Sequence, residues 1–250
     1  MSGHSKWSTI KRKKGAADAK RSNMFAKLLR AVEVAAREGG GSVDGNMTLA
    51  SAVEKAKDAS VPNENIERAI KRGTGELEGG ARYEEVAYEG YGPGGVAMFV
   101  ECLTDNRNRT AQEVRHAFTR NGGNLGETGS TAWMFQRRGV VQIEKTAAPD
   151  DDKLLEIALE AGAEDLADAE STWEIRTDPT SLVQVRDAIG AAGIPMLSAE
   201  LTMLPQSTVP VEGGQAKQVL ALLEALEDLD DVQNVYANFD ISDAVLAEMA

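Results

Sequence analysis

The sequence predicts a multidomain α+β protein: an N-terminal helical domain followed by two ferredoxin-like α/β domains, one inserted into the other. Three observations lead there. Helical periodicity without any strand pattern runs to residue 73, strand and helix signals mix from residue 83 onward, and a complete βαββαβ order between 139 and 204 interrupts a unit that still lacks its last helix and strand. A chain of 250 residues also exceeds one ordinary domain.

Residues 18 to 37 place Phe25, Leu28, Val32 and Ala35 on one stripe with Lys20, Lys27 and Arg30 largely off it, an amphipathic helix ended by Gly39-Gly40-Gly41-Ser42. A second helix is expected over 48 to 59, on Leu49, Ala52, Val53 and Ala56. A third is expected over 63 to 72, with Asn63 as its cap after Pro62 and Gly73 as its stop. Gly75 to Gly80 is rich in Gly and Glu and reads as a linker, so residues 1–80 form the helical basic domain with its linker.

From Tyr83 an apolar stretch at 86 to 89 and the run Val96 to Leu103 indicate two strands. The glycines between them, Gly90 to Gly95, invite comparison with a phosphate cradle, but a cradle requires a helix to follow, whereas a strand follows here; a tight hairpin is the expectation. A helix at about 109 to 121 has Thr110 and Glu113 at capping-box spacing, Val114, Ala117 and Phe118 on its inner face, and Gly122-Gly123 at its end. Strand-like runs follow at 131 to 135 and 139 to 144.

The inserted unit, residues 137–204, reads as strand 139 to 144, helix 151 to 161, strands 165 to 169 and 172 to 177, helix 179 to 191 and strand 196 to 204. Asp178-Pro179 suits a helix start, and the acids Asp150 to Asp152 are explained by the dipole of the helix they open. The outer unit, 81–136 plus 205–250, is completed by a helix over 215 to 228, striped by Val219, Leu222, Leu223 and Leu226, and a strand over 232 to 239. Val114 to Phe118 with Gly122 echoes Val185 to Ile189 with Gly193, which places the two helices in equivalent positions, although amphipathic helices also resemble one another by chance.

Composition excludes several classes. No apolar run approaches the ~20 residues that cross a bilayer, and the polar, basic start does not resemble a signal peptide, so a cytoplasmic protein with no membrane partner is expected. The single cysteine, Cys102, lies in an apolar strand and reads as a buried, inert thiol. His4 and His116, the only histidines, offer no metal-ligand spacing, and no nucleophile motif is present; neither a metal, a cofactor, a small-molecule substrate nor catalytic residues are expected, though fold alone does not exclude an enzyme. Nothing demands a second copy of the chain, so a monomer is the simplest expectation.

The net charge of -13 would by itself argue against a nucleic-acid partner. Its distribution argues the other way. Up to Arg30 there are nine cations (Lys6, Lys11, Arg12, Lys13, Lys14, Lys20, Arg21, Lys27 and Arg30) against Asp18 alone, a balance of +8, so the rest of the chain carries -21. That is a basic tip on an acidic body, or else a merely solvated basic face. Within it, Ser2-Gly3-His4-Ser5-Lys6-Trp7 leading to Lys11 through Lys14 combines small residues, an aromatic able to stack on a base and cations able to meet phosphate, the composition of an arm that enters RNA; a Trp7 folded onto the helices is the alternative. A second polar cluster, Thr104 to Arg109, brings Arg107 and Arg109 as further nucleic-acid contacts, although Asp and Asn cap turns routinely.

These stretches resemble the YebC family of bacterial and organellar proteins. The resemblance rests on Ser2 to Trp7, Val61-Pro62-Asn63-Glu64-Asn65-Ile66-Glu67-Arg68-Ala69-Ile70-Lys71-Arg72-Gly73, Tyr88-Glu89-Gly90-Tyr91-Gly92-Pro93 and Leu103 to Thr110; it is densest from residue 2 to 139 and thins through the acidic C-terminal region. It implies three domains and a regulator of gene expression. Bacterial relatives are classed as DNA-binding transcriptional regulators, mitochondrial ones look like translational activators, and bacterial ones are linked to helping ribosomes through proline runs.

Between these targets the residues favour RNA. No helix-turn-helix, zinc finger or basic zipper is visible, an arm with Trp7 suits irregular RNA, and the acidic remainder opposes lying along a duplex. The expectation is a ribosome-associated factor whose Lys11 to Lys14, Lys20 and Arg21 neutralise ribosomal RNA phosphates while His4 and Trp7 contact bases or the tRNA end. A DNA-binding transcriptional regulator using the same patch is the second reading.

Overall fold

A computed structural model of the chain describes residues 18–148, 150–169 and 171–241. Helices come first: α1 (Asp18–Gly39), α2 (Met47–Asp58) and α3 (Asn63–Thr74). Their apolar stripes close on one another around Val32, Ala35, Leu49, Val53, Ile66 and Ala69. Asn46 joins two helix ends at once: its Oδ1 accepts from Leu49 N at 3.1 Å to start α2, while its amide donates to Ala35 O and Gly40 O at the end of α1. Both helix termini would otherwise leave unpaired backbone groups. Glu33, buried on α1, binds α3 by accepting from Arg72 Nε at 3.1 Å, and it also accepts from Arg37.

The ends of α3 differ from expectation. Asn63 lies inside the first turn, and Pro62 occupies the cap position without any side-chain bond. Gly73 does not stop the helix; Gly75, with φ of 83°, does. Gly73 is needed for contact, because a Cβ there would sit 2.8 Å from Ala36 Cβ and against the Glu33 carbonyl of α1.

The remainder is mixed α+β. In order come β1 (Glu84–Tyr91), β2 (Ala97–Thr104), α4 (Arg107–Arg120), β3 (Asn124–Leu125), β4 (Phe135–Glu144), α5 (Asp151–Glu160), β5 (Ala163–Ala169), β6 (Thr172–Thr177) and α6 (Leu182–Ala191). Then follow β7 (Ser198–Pro205), β8 (Val209–Pro210), α7 (Gly213–Glu227), β9 (Val232–Ala237) and β10 (Phe239–Asp240). Two four-stranded sheets form, β3-β1-β2-β9 and β5-β6-β4-β7, with a short β10-β8 pair beside the first.

The second sheet is fully antiparallel, with α5 and α6 packed on Val141, Ile143 and Ile175, the ferredoxin-like arrangement expected of its βαββαβ order. The first sheet has the same spatial layout, but the chain visits its strands differently. Its two central strands, β1 and β2, are consecutive and joined by the hairpin turn Pro93–Gly95; α4 then leads to edge strand β3, and α7 to the opposite edge, β9. Its core joins Met98, Val100 and Cys102 of β2 to Val114 and Phe118 of α4 and to Leu222, Leu223 and Leu226 of α7.

Local signals account for the other departures. The runs at 131 to 135 and 139 to 144 are one strand, β4, entered through the short 3-10 turn Ala132–Met134; its first residues pair only with β7 and bring Phe135 and Met203 against Phe99 and Tyr236 of the first sheet. Asn106, not Thr110, caps α4, accepting from Arg109 N at 3.1 Å. Asp178 turns back on Thr180, and α6 begins only at Leu182. Arg186 of α6 reaches Glu54 of α2 at 2.9 Å, a contact between the helical part and the second sheet's layer.

Since Gly73 meets α1 backbone rather than solvent, Gly73→Ala must force α1 and α3 apart. A loss of about 1–3 kcal/mol in urea unfolding followed by helical circular dichroism is expected, as for an overpacked core; an unchanged midpoint would contradict the packing described.

Candidate nucleic-acid interface

Asn23, Lys27 and Arg30 follow one another at helical spacing on α1 and face the same neighbour, the C-terminal end of α7. Asn23 donates to Asp228 O at 3.0 Å, Lys27 Nζ donates to Glu227 O, and Arg30 Nη1 reaches Leu103 O at 2.9 Å and Asp230 O at 3.0 Å. A helix C-terminus presents unpaired carbonyls and the negative end of its dipole, so cations are favoured there. Lys27 and Arg30, two of the expected phosphate contacts, are therefore engaged inside the protein.

Asp231 is the centre of this junction. Although only 1% exposed, its carboxylate has a full set of donors: Arg30 Nη1 on Oδ1 at 2.9 Å, and Arg109 Nη2 at 2.7 Å, Thr110 at 2.7 Å and Thr104 at 3.1 Å on Oδ2. Burial acts to raise the pKa of Asp231, but the hydrogen bonds from Arg109, Thr110 and Thr104 outweigh it and hold the group below the ordinary carboxylate range. The same bond with Asp231, and a second with Asp105 at 2.8 Å, raises the pKa of Arg109. Asp231 also joins burial in pushing the Cys102 thiol up to about 12, so this cysteine stays protonated.

The Thr104 to Arg109 cluster thus has a structural task. Thr104 and Thr110 point inward at Asp231, Asn106 caps α4, and Arg109 bridges two carboxylates. Arg107 remains exposed, 3.7 Å from Glu84. Beside the junction a cleft of about 550 Å³ is lined by Arg30, Arg109 and Tyr83, whose ring lies 4.9 Å from the Arg30 guanidinium, but also by Asp105, Glu113, Asp228 and Asp230. Those acids make it a poor seat for phosphate.

Of the remaining expected contacts, Arg21 is exposed in the first turns of α1. His4, Lys6, Trp7, Lys11, Arg12, Lys13 and Lys14 lie outside the described residues, as does the side chain of Lys20. The sequence reading missed Asp231 and Tyr83; the run Glu227 to Asp231 was a visible signal, but nothing in it tells which acid is buried.

A family model described as the TACO1/YebC protein N-terminal domain matches residues 5–76, and one described as the TACO1/YebC second and third domain matches 83–239. The chain belongs to the TACO1/YebC family. Its similarity to curated members runs end to end: it is 58% identical to a probable transcriptional regulatory protein of Geobacter sulfurreducens over 97% of both chains, and 57% identical to one of Mycolicibacterium smegmatis over 100% of this chain and 99% of that one. The crystal structure of a conserved hypothetical protein from Aquifex aeolicus superposes with a TM-score of 0.80 at 48% identity, covering 92% of this chain and 94% of that one. The resemblance read from the motifs therefore stands, as does the mixed α+β fold with its helical N-terminal part. Among the described residues no helix is long and apolar enough to cross a membrane.

In this TACO1/YebC protein, Asp231→Asn removes the charge that Arg30 and Arg109 share. A destabilisation of about 2–3 kcal/mol at neutral pH follows from hydrogen bonds to a charged group. Because the folded-state pKa is depressed, the carboxylate's contribution is fully present above the unfolded value of ~3.9 and disappears as pH falls through the lower folded value. Urea melts should therefore separate wild type from Asp231→Asn at pH 7, and the gap should narrow progressively as pH falls below ~3.9; a gap independent of pH would rule out the ionised carboxylate as its source.

Proposed function

We propose that the chain is a non-enzymatic, cytoplasmic regulator of gene expression whose basic N-terminal residues bind ribosomal RNA and help slow peptide bonds form, as at proline runs. The observation that carries this reading is the division of labour along α1. Lys27 and Arg30 fix the helix to the acidic body, while Arg21, exposed near its start, continues the cationic series Lys11, Arg12, Lys13, Lys14 and Lys20. A basic segment tethered to a rigid anchor carrying -21 beyond Arg30 meets polyphosphate at one place, since contact elsewhere is repelled. Phosphate neutralisation is assigned to that series and to Lys6, base or tRNA-end contacts to His4 and Trp7, and a lesser contact to Arg107. Any rate gain would come from positioning the ribosome's own reactants.

The printed names of the curated relatives favour a second reading, a DNA-binding transcriptional regulator using the same patch. It has less physical support, because a duplex would have to approach an acidic body without a helix offered to its major groove.

Replacing Lys11, Arg12, Lys13 and Lys14 together by Glu should abolish co-sedimentation with ribosomes at physiological salt. Milder replacement by Gln should lower the slope of log affinity against log salt by about 3, at ~0.7 per lost phosphate contact on single strands. Undiminished sedimentation of the Glu variant would remove the basic series from the interface, and a footprint on promoter DNA that survives excess ribosomal RNA would favour the second reading.

A further inference from the structure

The loop between β3 and β4 carries a feature that the N-terminal reading does not use. Trp133 is 65% exposed, and no other Phe, Tyr or Trp of the described residues is exposed to that class. Its position is fixed from below. The buried Glu89 carboxylate accepts from Gly129 N at 2.6 Å on Oε1, and from Thr131 N at 2.6 Å and Ala132 N at 2.7 Å on Oε2. The Thr131 hydroxyl donates to Met98 O at 2.9 Å, Tyr91 OH to Ser130 O at 3.0 Å, and Gln206 Nε2 to Trp133 O at 3.0 Å. A large apolar ring is thus held out in water by a tightly bonded frame.

The chemistry left available on this ring is narrow. The indole N–H donates to Ser130 O at 3.2 Å, so what faces solvent is the π surface. Exposed neighbours in the chain, Glu127, Thr128, Gly129, Gln136 and Arg137, are polar or glycine and supply no apolar rim of the kind that surrounds a protein-docking hot spot. The stretch of chain that carries the ring is cationic: from Arg115 to Arg138 four arginines stand against Glu127 alone, in a chain that is otherwise acidic, although Arg138 is paired with Glu164. Arg115, Arg120 and Arg137 are exposed and have no ion-pair partner among the described residues, and Arg120 ends α4 at the hairpin end of the first sheet, the end to which Glu89 ties the loop.

We propose that Trp133 is a stacking platform for an unpaired RNA base, a second RNA contact separate from the basic N-terminal series. It rests on the RNA-binding reading above and extends it. The platform is tied to Met98 at the start of β2, whereas Arg30 anchors α1 at Leu103, near that strand's far end, so the five steps of extended chain between the two tie points separate them by roughly 16 Å at ~3.3 Å per residue. Stacking on a face whose donor is internally satisfied is tolerant of base identity.

The test uses full-length protein and a single-stranded 12-nucleotide oligoadenylate RNA. In a Trp7→Phe, Trp173→Phe background Trp133 is the remaining tryptophan of three, and its emission should be quenched on titration. In the otherwise wild-type chain Trp133→Ala should weaken binding by roughly 5- to 100-fold, the usual worth of one stacked base. The slope against log salt should stay unchanged because no phosphate contact is lost, and Trp133→Phe should recover most of the affinity. Equal affinity of Trp133→Ala and wild type overturns the platform while leaving the N-terminal reading intact, and so does equal weakness of Ala and Phe variants. Wild-type protein that fails to bind the RNA at all overturns the RNA-binding reading and the platform with it. Quenching by a 12-base-pair DNA duplex but not by the single strand overturns the platform in favour of duplex contact.

Discussion

The structure turns on one buried carboxylate. Asp231 gathers Arg30 from α1, Thr104 from the end of β2, and Arg109 and Thr110 from α4, positions separated by up to 201 residues in the chain. Removing a carboxylate from water costs several kcal/mol, and the cost is offset only when its lone pairs are filled with good geometry. Here they are. A partial set would be worse than an apolar contact, so helical part, first sheet and α7 are held to one relative placement.

The same junction gives the charge asymmetry a second meaning. The end of α7 combines a dipole's negative pole with Glu227, Asp228, Asp230 and Asp231, a concentration of negative potential that would repel itself in isolation. Lys27, Arg30 and Arg109 neutralise it at close range. Cations that look alike in composition therefore divide by position: those from Lys27 onward on α1 serve the fold, and those before it are the ones assigned to a polyanion.

What the sequence made legible follows from range. Periodicity is local, so α1, α2, α3, the hairpin and the βαββαβ unit could be read from residues near one another, and the missing helix and strand of the outer unit could be inferred because an unfinished sheet has an unpaired edge. Caps were less readable: Thr110 with Glu113 had the right spacing, yet Thr110 is drawn to Asp231 and Asn106 caps instead. Gly73 looked like a stop because glycine ends helices and also permits close crossings, and sequence does not tell the two apart. The two-residue edge strand β3 was too short to show a pattern, and the burial of Asp231 was beyond reach, since it depends on contacts over more than 100 residues and an acid in a run of acids shows no sign that it alone will meet two arginines.

Two internal anions shape where an external one can bind. Asp231 occupies donors of Arg30 and Arg109, and Glu89 occupies the loop amides of Gly129, Thr131 and Ala132, which would otherwise be free to meet an anion. Burial tends to neutralise Glu89, but the bonds from Gly129, Thr131 and Ala132 prevail and lower its pKa, so the amides remain filled at neutral pH. These donors, satisfied from within, are not open to an external anion. Surface attraction for a polyanion is then left to cations without internal carboxylate partners, so it would depend on where such cations cluster rather than on total charge.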